Sequence, residues 1–420
     1  MGRGLAVVLV AVLLAGTVSL LNEPTSASEA QAPPPATASP HKALAPAVAT
    51  GAFGLDLMRA QSPGNLVLSP ESVGAALAMT GTGAAGNTAT QIAQTLHLSG
   101  PAVLDALGNL QRTIGNEQAS AGQGHPKAPT LEMTNGLFLQ QGFPIEPPFL
   151  SGLQQHFGAT PETVDFTGDP SGSLEAINRW ASDHTEGLIP RLLDQLPEEM
   201  RLALANAVYL KANWLHPFER GETGSAPFYN QAGKTPVQFM HEIERLRYGS
   251  GPDYKAVDLP YRASTLSLLV VLPVGKRLGS LQRHLDARGL AQIVQSLSRR
   301  PVELSLPRFH LSTHTALDES LKKLGMTDAF GESANFSRIT AATPLKIGFV
   351  EHAADFTVDE EGTVAAATTA VGVVETSAPA VPRNAVTFNA NRPFLFFLRD
   401  VQTGTVLFAG RLISPASAGA

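Results

Sequence analysis

The chain contains no cysteine, which excludes disulfides, thiolate metal ligands and a cysteine nucleophile. Positive charge is also scarce: 30 Lys and Arg stand against 36 Asp and Glu, a formal net charge of −6. No basic excess exists to release counterions, which argues against nucleic acid as a partner. Between positions 101 and 130 only Arg112 and Lys127 are basic, so no heparin-type polyanion helix is evident there. No phosphate loop of the G-x-x-x-x-G-K-[ST] type occurs. His241-Glu242-Ile243-Glu244-Arg245 opens like a zinc-protease motif but lacks the second histidine. His310 and His314 sit in strand-like and loop-like sequence, so no shared helical ligand face follows. Gly331-Glu332-Ser333-Ala334-Asn335 is one residue short of a nucleophile elbow and has no strand-turn-helix around it. Gly81, Gly83 and Gly86 match a dinucleotide spacing, but a helix precedes them where a strand is required. The residues offer no enzyme constellation, no cofactor and no metal site.

What remains is an ordinary globular composition, 43% hydrophobic over 420 residues. Arg3 followed by the apolar run Leu5–Leu21 reads as a secretory signal, with Thr25-Ser26-Ala27 or Ser28-Glu29-Ala30 as the small-residue cleavage site. The rival reading is a membrane anchor through 5–21. Either way the folded part is expected outside the cytoplasm, secreted in the first case. Residues 31–44 are rich in Ala and Pro and read as a disordered linker. Residues 45–420 show no further linker or repeat and read as one domain. The sequon Asn335-Phe336-Ser337 matters only if the source glycosylates.

Helical spacing predicts helices over Ala45–Arg59, Glu71–Met79, Thr88–Leu98, Ala102–Ile114, Glu146–Phe157, Ser173–Thr185, Leu278–Leu297 and Leu317–Leu324. Ser69 caps the second of these, with Pro70 in its first turn. Strands are predicted at Asn65–Leu68, Leu131–Leu139, Leu202–Lys211, Val237–Met240, Tyr254–Leu259, Leu266–Leu272, Val302–Leu306, Ala385–Phe388, Phe394–Arg399 and Val406–Leu412. The mixture lacks regular alternation, so the fold class is α+β.

One stretch stands apart. Phe349–Val358 reads as a strand and Asp359-Glu360-Glu361-Gly362 as a turn or hinge. Thr363–Val374 is then almost entirely small or β-branched, without a helical stripe or a large core anchor. With a period of two, Thr363, Ala365, Ala367, Thr369, Val371 and Val373 share one face, and neither face carries charge. It is a strand sequence without an evident sheet.

Taken in order, several motifs make the chain resemble the serpins, serine protease inhibitors of the trapped-loop type. They are Asn65-Leu66-Val67-Leu68-Ser69-Pro70-Glu71-Ser72, Asn206-Ala207-Val208-Tyr209-Leu210-Lys211-Ala212-Asn213-Trp214, Leu259-Pro260-Tyr261, Leu306-Pro307-Arg308-Phe309, Glu360-Glu361-Gly362-Thr363 and Asn391-Arg392-Pro393-Phe394-Leu395-Phe396-Phe397. The resemblance implies three β-sheets, about eight or nine helices and an exposed reactive-centre loop. It implies a monomer that holds a serine protease in a covalent acyl complex, after loop cleavage and insertion as a strand of the main sheet. Glu360, Glu361, Gly362, Thr363, Ala365, Ala366, Ala367 and Thr368 match the family's hinge. Ser69, Ser72, Asn206 and His352 match its shutter, and Trp214 its breach. Val364 and Ala353 stand where relatives often carry glutamate and lysine.

Counting sixteen positions from Glu360, the spacing usual in the family, reaches a Thr376-Ser377 reactive bond. Val374-Glu375, Glu375-Thr376 and bonds up to Pro379 stay open. With no Arg or Lys before Arg383, the loop disfavours trypsin-like targets. Small residues suit an elastase-like or subtilisin-like pocket, whereas Glu375 leaves an acid-specific protease open and a cysteine protease is not excluded. The alternative function is a non-inhibitory serpin acting as a binding protein.

Overall fold

A computed structural model describes residues 5–15, 45–124, 128–197, 199–275, 277–363, 382 and 384–415. Of 5–15 only the backbone is described. In chain order the elements are β1 (Leu5–Ala15), α1 (Pro46–Ala60), β2 (Leu66–Leu68), α2 (Pro70–Thr82), α3 (Gly86–Thr95), α4 (Asp105–Gly122), β3 (Thr130–Gln140), α5 (Pro147–Gly152), β4 (Thr160–Val164), α6 (Pro170–Asp183) and β5 (Met200–Asn213). They continue with β6 (Gly224–Asn230), β7 (Gly233–Ser250), β8 (Tyr254–Pro260), β9 (Leu266–Pro273), α7 (Leu278–His284), α8 (Ala287–Ser296), β10 (Ser298–Pro307) and β11 (Phe309–Ala316). Last come α9 (Asp318–Lys323), β12 (Leu345–Val358), β13 (Gly362–Thr363), β14 (Val386–Asn389), β15 (Phe394–Asp400) and β16 (Val406–Leu412). The class is α+β, as the pattern predicts.

Local chemistry fixes several boundaries. Ser69 Oγ accepts from Ser72 N at 3.1 Å and Pro70 occupies the first turn, so α2 starts where the capping pattern places it. Asp169 caps α6 in the same way through Gly172 N. The single helix predicted over Leu278–Leu297 is two. Leu285 and Asp286 are extended, and Asp286 caps α8 by accepting from Gly289 N at 2.7 Å. The helix predicted over Glu146–Phe157 is α5 followed by a wider turn at Leu153–Phe157. The three glycines near position 83 end α2 and begin α3, a helix-to-helix turn.

The first sheet runs β11-β12-β1-β5-β3-β4, with β13 also on β5. The second runs β14-β10-β7-β8-β9-β15-β16-β2, with β6 on β7. The resemblance implies three sheets. The long β7 pairs with β6 and β10 along most of its length and with β8 at Arg247–Ser250, which joins two of them into one hydrogen-bonded system. Val208, Leu210, Trp214 and Phe356 of the first sheet pack against Val270, Phe396 and Phe408 of the second. A larger core lies between the helices and both sheets, with Phe53, Leu57 and Leu77 from α1 and α2. On the outer face Ile177 and Ala181 of α6 cover Ala203, Ala205 and Ala207 of β5. Helix α6 approaches the sheet closely at Gly136, where a Cβ would stand 2.8 Å from the Trp180 ring.

The position of β1 differs from what an apolar leader suggests. Its backbone lies between β5 and β12, antiparallel to both, with Leu5 opposite Leu210 and Leu9 opposite both Asn206 and His352. An apolar, β-prone run satisfies its backbone in any open lane of a sheet. Among the described residues no helix is long and apolar enough to cross a membrane.

Candidate functional site

The site is the lane between β5 and β12 and the chain that enters its top. Strand β12 ends at Val358, and the turn expected at Asp359–Gly362 is present. Asp359 N donates to Gly362 O at 3.1 Å, while Asp359 Oδ1 accepts from Glu361 N at 2.9 Å and Gly362 N at 3.1 Å. Burial raises the Asp359 pKa to about 6 against these two amide bonds. Gly362 then returns the chain onto β5 with φ of 153°, and a Cβ there would stand 2.1 Å from Ala212 O. Only glycine fits that approach. Thr363 pairs with Ala212 and is 1% exposed, so the first loop residue already lies in the sheet.

The hinge is fastened by its neighbours. Glu360 is 1% exposed. Its carboxylate accepts from Thr223 Oγ1 at 2.7 Å, from Arg308 Nε at 2.7 Å and from Arg308 Nη2. Burial alone would raise its pKa, but the Thr223 and Arg308 bonds outweigh burial and hold it below the ordinary Glu value. Glu361 faces Arg220 across 3.5 Å at the surface. Trp214, the predicted breach residue, is buried at the top of the lane. Its Nε1 donates to Asp359 O at 2.9 Å, and its ring stacks on Tyr261 with centroids 4.6 Å apart. The Tyr261 hydroxyl meets Thr363 Oγ1, and burial pushes its pKa up. Thus Trp214, Tyr261, Arg308 and Glu360 bind hinge to sheet. Arg308 and Tyr261 stand in recognised motifs, yet no local pattern reveals their partners, which are 52 and 102 residues away.

The four residues that match the family's shutter lie under the middle of the lane, but not as one hydrogen-bonded set. Ser69 N donates to His352 Nε2 at 3.3 Å and Ser72 N to Ser69 Oγ. Asn206 bonds elsewhere: its Nδ2 donates to Asn135 Oδ1 at 2.8 Å, and Asn135 Nδ2 donates to Gln111 Oε1 and Phe157 O. The four groups therefore do not satisfy one another as a single network. Ser72 Oγ, Asn206 Oδ1 and His352 Nδ1 are buried without a partner among the described residues. Burial pulls the His352 pKa down to about 3, aided by His314, so the ring is neutral. Its Nε2 accepts from Ser69, which leaves the proton on Nδ1. Glu71, which the sequence places in the first turn of α2, is buried beside Gln111 with its pKa raised to about 7. Ala353, in the place of the family's lysine, is buried with Tyr209 in the outer cluster.

Ala365, Ala366, Ala367, Thr368 and the bond at Thr376 and Ser377 lie outside the described residues. His310 and His314 lie on β11, 2.6 Å from Asp355 and 3.5 Å from Glu351 respectively. Among the described residues no group of three or more His, Cys, Asp and Glu could hold a metal.

The arrangement has counterparts. Residues 49–415 match the family model of the serpins, described as serine protease inhibitors. An uncharacterized serpin-like protein of Thermococcus kodakarensis is 32% identical over 369 residues, covering 87% of this chain and 85% of the relative. The leukocyte elastase inhibitor of Homo sapiens is 33% identical over 381 residues, covering 86% of this chain and 97% of the relative. Among solved structures, the thermophilic serpin tengpin in its native state superposes with a TM-score of 0.75 at 27% identity, covering 87% of this chain and 93% of its own. The cleaved Serpin 42Da does so with a TM-score of 0.75 at 29% identity, covering 88% and 98%. With the family model matched over residues 49–415 and relatives above 30% identity along most of both chains, the chain belongs to the serpins.

Proposed function

We propose that the chain is a suicide inhibitor of a serine protease: its loop is cut, enters the lane between β5 and β12 and carries the acylated protease with it. The observation that carries this reading is the shared direction of β13 and β1. Both run antiparallel to β5 in one lane, Thr363 opposite Ala212 and Leu5 opposite Leu210. Extending the Thr363 register puts Ala365 opposite Leu210, Ala367 opposite Val208, Thr369 opposite Asn206, Val371 opposite Leu204 and Val373 opposite Leu202. Those β5 residues other than Asn206 face the two large cores, so the uncharged loop face would be the buried one. About twelve inserted residues at roughly 1 kcal/mol of net hydrogen bonding each would gain on the order of 10 kcal/mol before entropy.

The same register supports a reactive bond at Thr376-Ser377. The lane ends at Met200, the first residue of β5, which the extended loop would reach at Val374 or Glu375. A bond at Thr376-Ser377 lies just beyond it, leaving the acyl group at the far end of the sheet. The human relative is named for inhibiting elastase. The small residues around Thr376 suit such a shallow pocket, or a subtilisin-like one. Removal of residues 1–30 on export would take β1 out and leave the lane open for the loop. Trapping, not turnover, is the chemistry proposed, and this reading needs no cofactor.

The experiment is a screen of elastase-like and subtilisin-like proteases for a complex that survives SDS, with mass spectrometry of the released C-terminal fragment. Thr363→Arg should turn the inhibitor into a substrate, because a cation cannot enter the buried position opposite Ala212. Retained inhibition by that variant would sink the insertion model. A cut after Arg383 would overturn the proposed target class.

A further inference from the structure

A cleft of about 1020 Å³ lies between the end of α1, the β6–β7 turn, the start of α7 and the residues flanking β15 and β16. Five arginines line it: Arg59, Arg277, Arg283, Arg392 and Arg411. No Asp or Glu does. In a chain of net charge −6 this is a local reversal of sign.

The five cations are not equivalent. Arg59 pairs with Asp56 and donates to Leu285 O at 2.9 Å, so its charge is answered. Arg392 donates from Nε and Nη2 to Pro273 O at 3.2 and 2.9 Å, a neutral acceptor. Arg411 donates to the carbonyls of Gly64, Met58 and Ser62, also neutral. Hydrogen bonding is thus satisfied at both, but among the described residues no carboxylate pairs with either, and burial lowers the pKa of each. Arg277 and Arg283 are exposed at the start and end of α7, and no ion pair is found for either among the described residues. The wall between the cations is apolar, with Pro273, Leu278 and Ile413. Partly desolvated cations without counter-charge, set around an apolar wall, make a field that an anion entering the cleft would relieve.

We infer that this cleft binds an amphiphilic carboxylate, its head on the arginines and its apolar body along Pro273, Leu278 and Ile413. The volume is at the upper end of the range for small-molecule sites, roughly 300–1,000 Å³. Guanidinium groups recognise a carboxylate by paired hydrogen bonds, and Arg277 and Arg283 have donors to spare. A purely inorganic anion would leave the apolar wall unused, and a neutral amphiphile would leave the charges unanswered.

Decanoate, decanol and sulfate titrated separately into the intact protein by calorimetry test this, each kept below any micellar concentration. Decanoate should saturate at one per chain, with decanol and sulfate at least tenfold weaker. Arg277→Ser combined with Arg283→Ser should weaken decanoate at least tenfold. Both side chains are exposed, and an unchanged thermal midpoint shows that the fold is intact. Ile413→Ser supplies an independent variant for the apolar wall and should also weaken decanoate. Absent saturation, equal binding of decanol or sulfate, or full affinity in the double arginine variant would each overturn the assignment.

Discussion

Asn206 and His352 face each other across one lane of the first sheet, both in register with Leu9, and each buries a polar atom that has no partner among the described residues. The two atoms are complementary to a single hydroxyl. His352 Nδ1 holds a proton to donate, and Asn206 Oδ1 is an acceptor because its amide nitrogen is spent on Asn135. In the proposed inserted form, the register extended from Thr363 would bring Thr369 between them. A threonine hydroxyl accepts from one and donates to the other, so insertion would complete the network.

Thr369→Val should therefore leave both groups unpaired in the cleaved, inserted form. The stability gained on loop cleavage should fall by about 1–3 kcal/mol, and Thr369→Ser should keep it. Urea denaturation of intact and loop-cleaved protein measures the difference. An equal gain in all three proteins would refute the placement of Thr369.

Much of this fold is legible in the sequence where strands are central and apolar. Val406–Leu412 is predicted with its observed bounds, and Leu202–Lys211 falls within β5. The strands that escape notice are polar or at edges: Thr160–Val164 contains proline and glutamate, Gly224–Asn230 alternates exposed and half-buried residues, and Phe309–Ala316 is half exposed. Their pairing comes from neighbours distant in sequence, not from their own pattern. The same holds for the site. Gly362 announces a special backbone, and the uncharged run after it announces a lane. The Gln111–Asn135–Asn206 chain and the burial of Glu71 arise only when α4 crosses the sheet, and no local spacing encodes that.

The Glu360–Arg308 pair should govern how firmly the hinge is held. Arg308→Met would leave a buried carboxylate with only Thr223. Because the Arg308 side chain is 41% exposed, solvent screens part of the loss. A destabilisation of about 1–3 kcal/mol at neutral pH is expected, below the cost of a fully buried pair. Glu360 has a folded pKa below its ordinary 4.5. The pair's contribution is therefore complete above that value and is lost as pH falls through the folded pKa. Wild type and variant should converge in stability once the pH is below the folded pKa, read from thermal midpoints across pH. A gap that persists unchanged into acid would contradict the ion-pair account.

If the chain inhibits by the proposed insertion, occupation of the lane by β1 should make inhibition depend on the N-terminus. Protein beginning at residue 31 should form the SDS-stable complex. Full-length chain with Leu5–Ala15 in place should be cleaved as a substrate or left untouched, since one lane cannot hold two strands. The ratio of complex to cleaved product on a gel, for the two proteins side by side, measures this. Equal complex formation by both would show that β1 leaves the sheet without cost.

His352 and Glu71 set opposite pH slopes on stability. The His352 pKa falls from 6.5 to about 3 on folding. Below pH 6.5 the unfolded chain takes up a proton that the native ring refuses, so this group removes stability as pH falls towards 3. The Glu71 pKa rises from 4.5 to about 7. As pH falls from 7 to 4.5 the native carboxyl binds its proton first, so this group adds stability over that window. Between about pH 6.5 and 4.5 each slope approaches 1.4 kcal/mol per unit and the two oppose. His352→Gln should unmask Glu71, and the variant should gain stability on mild acidification relative to its own value at pH 7. Glu71→Gln should unmask His352 and lose stability over the same interval. Urea midpoints at pH 7, 6 and 5 decide the matter: parallel profiles in the two variants would mean that neither burial controls the titration of its group.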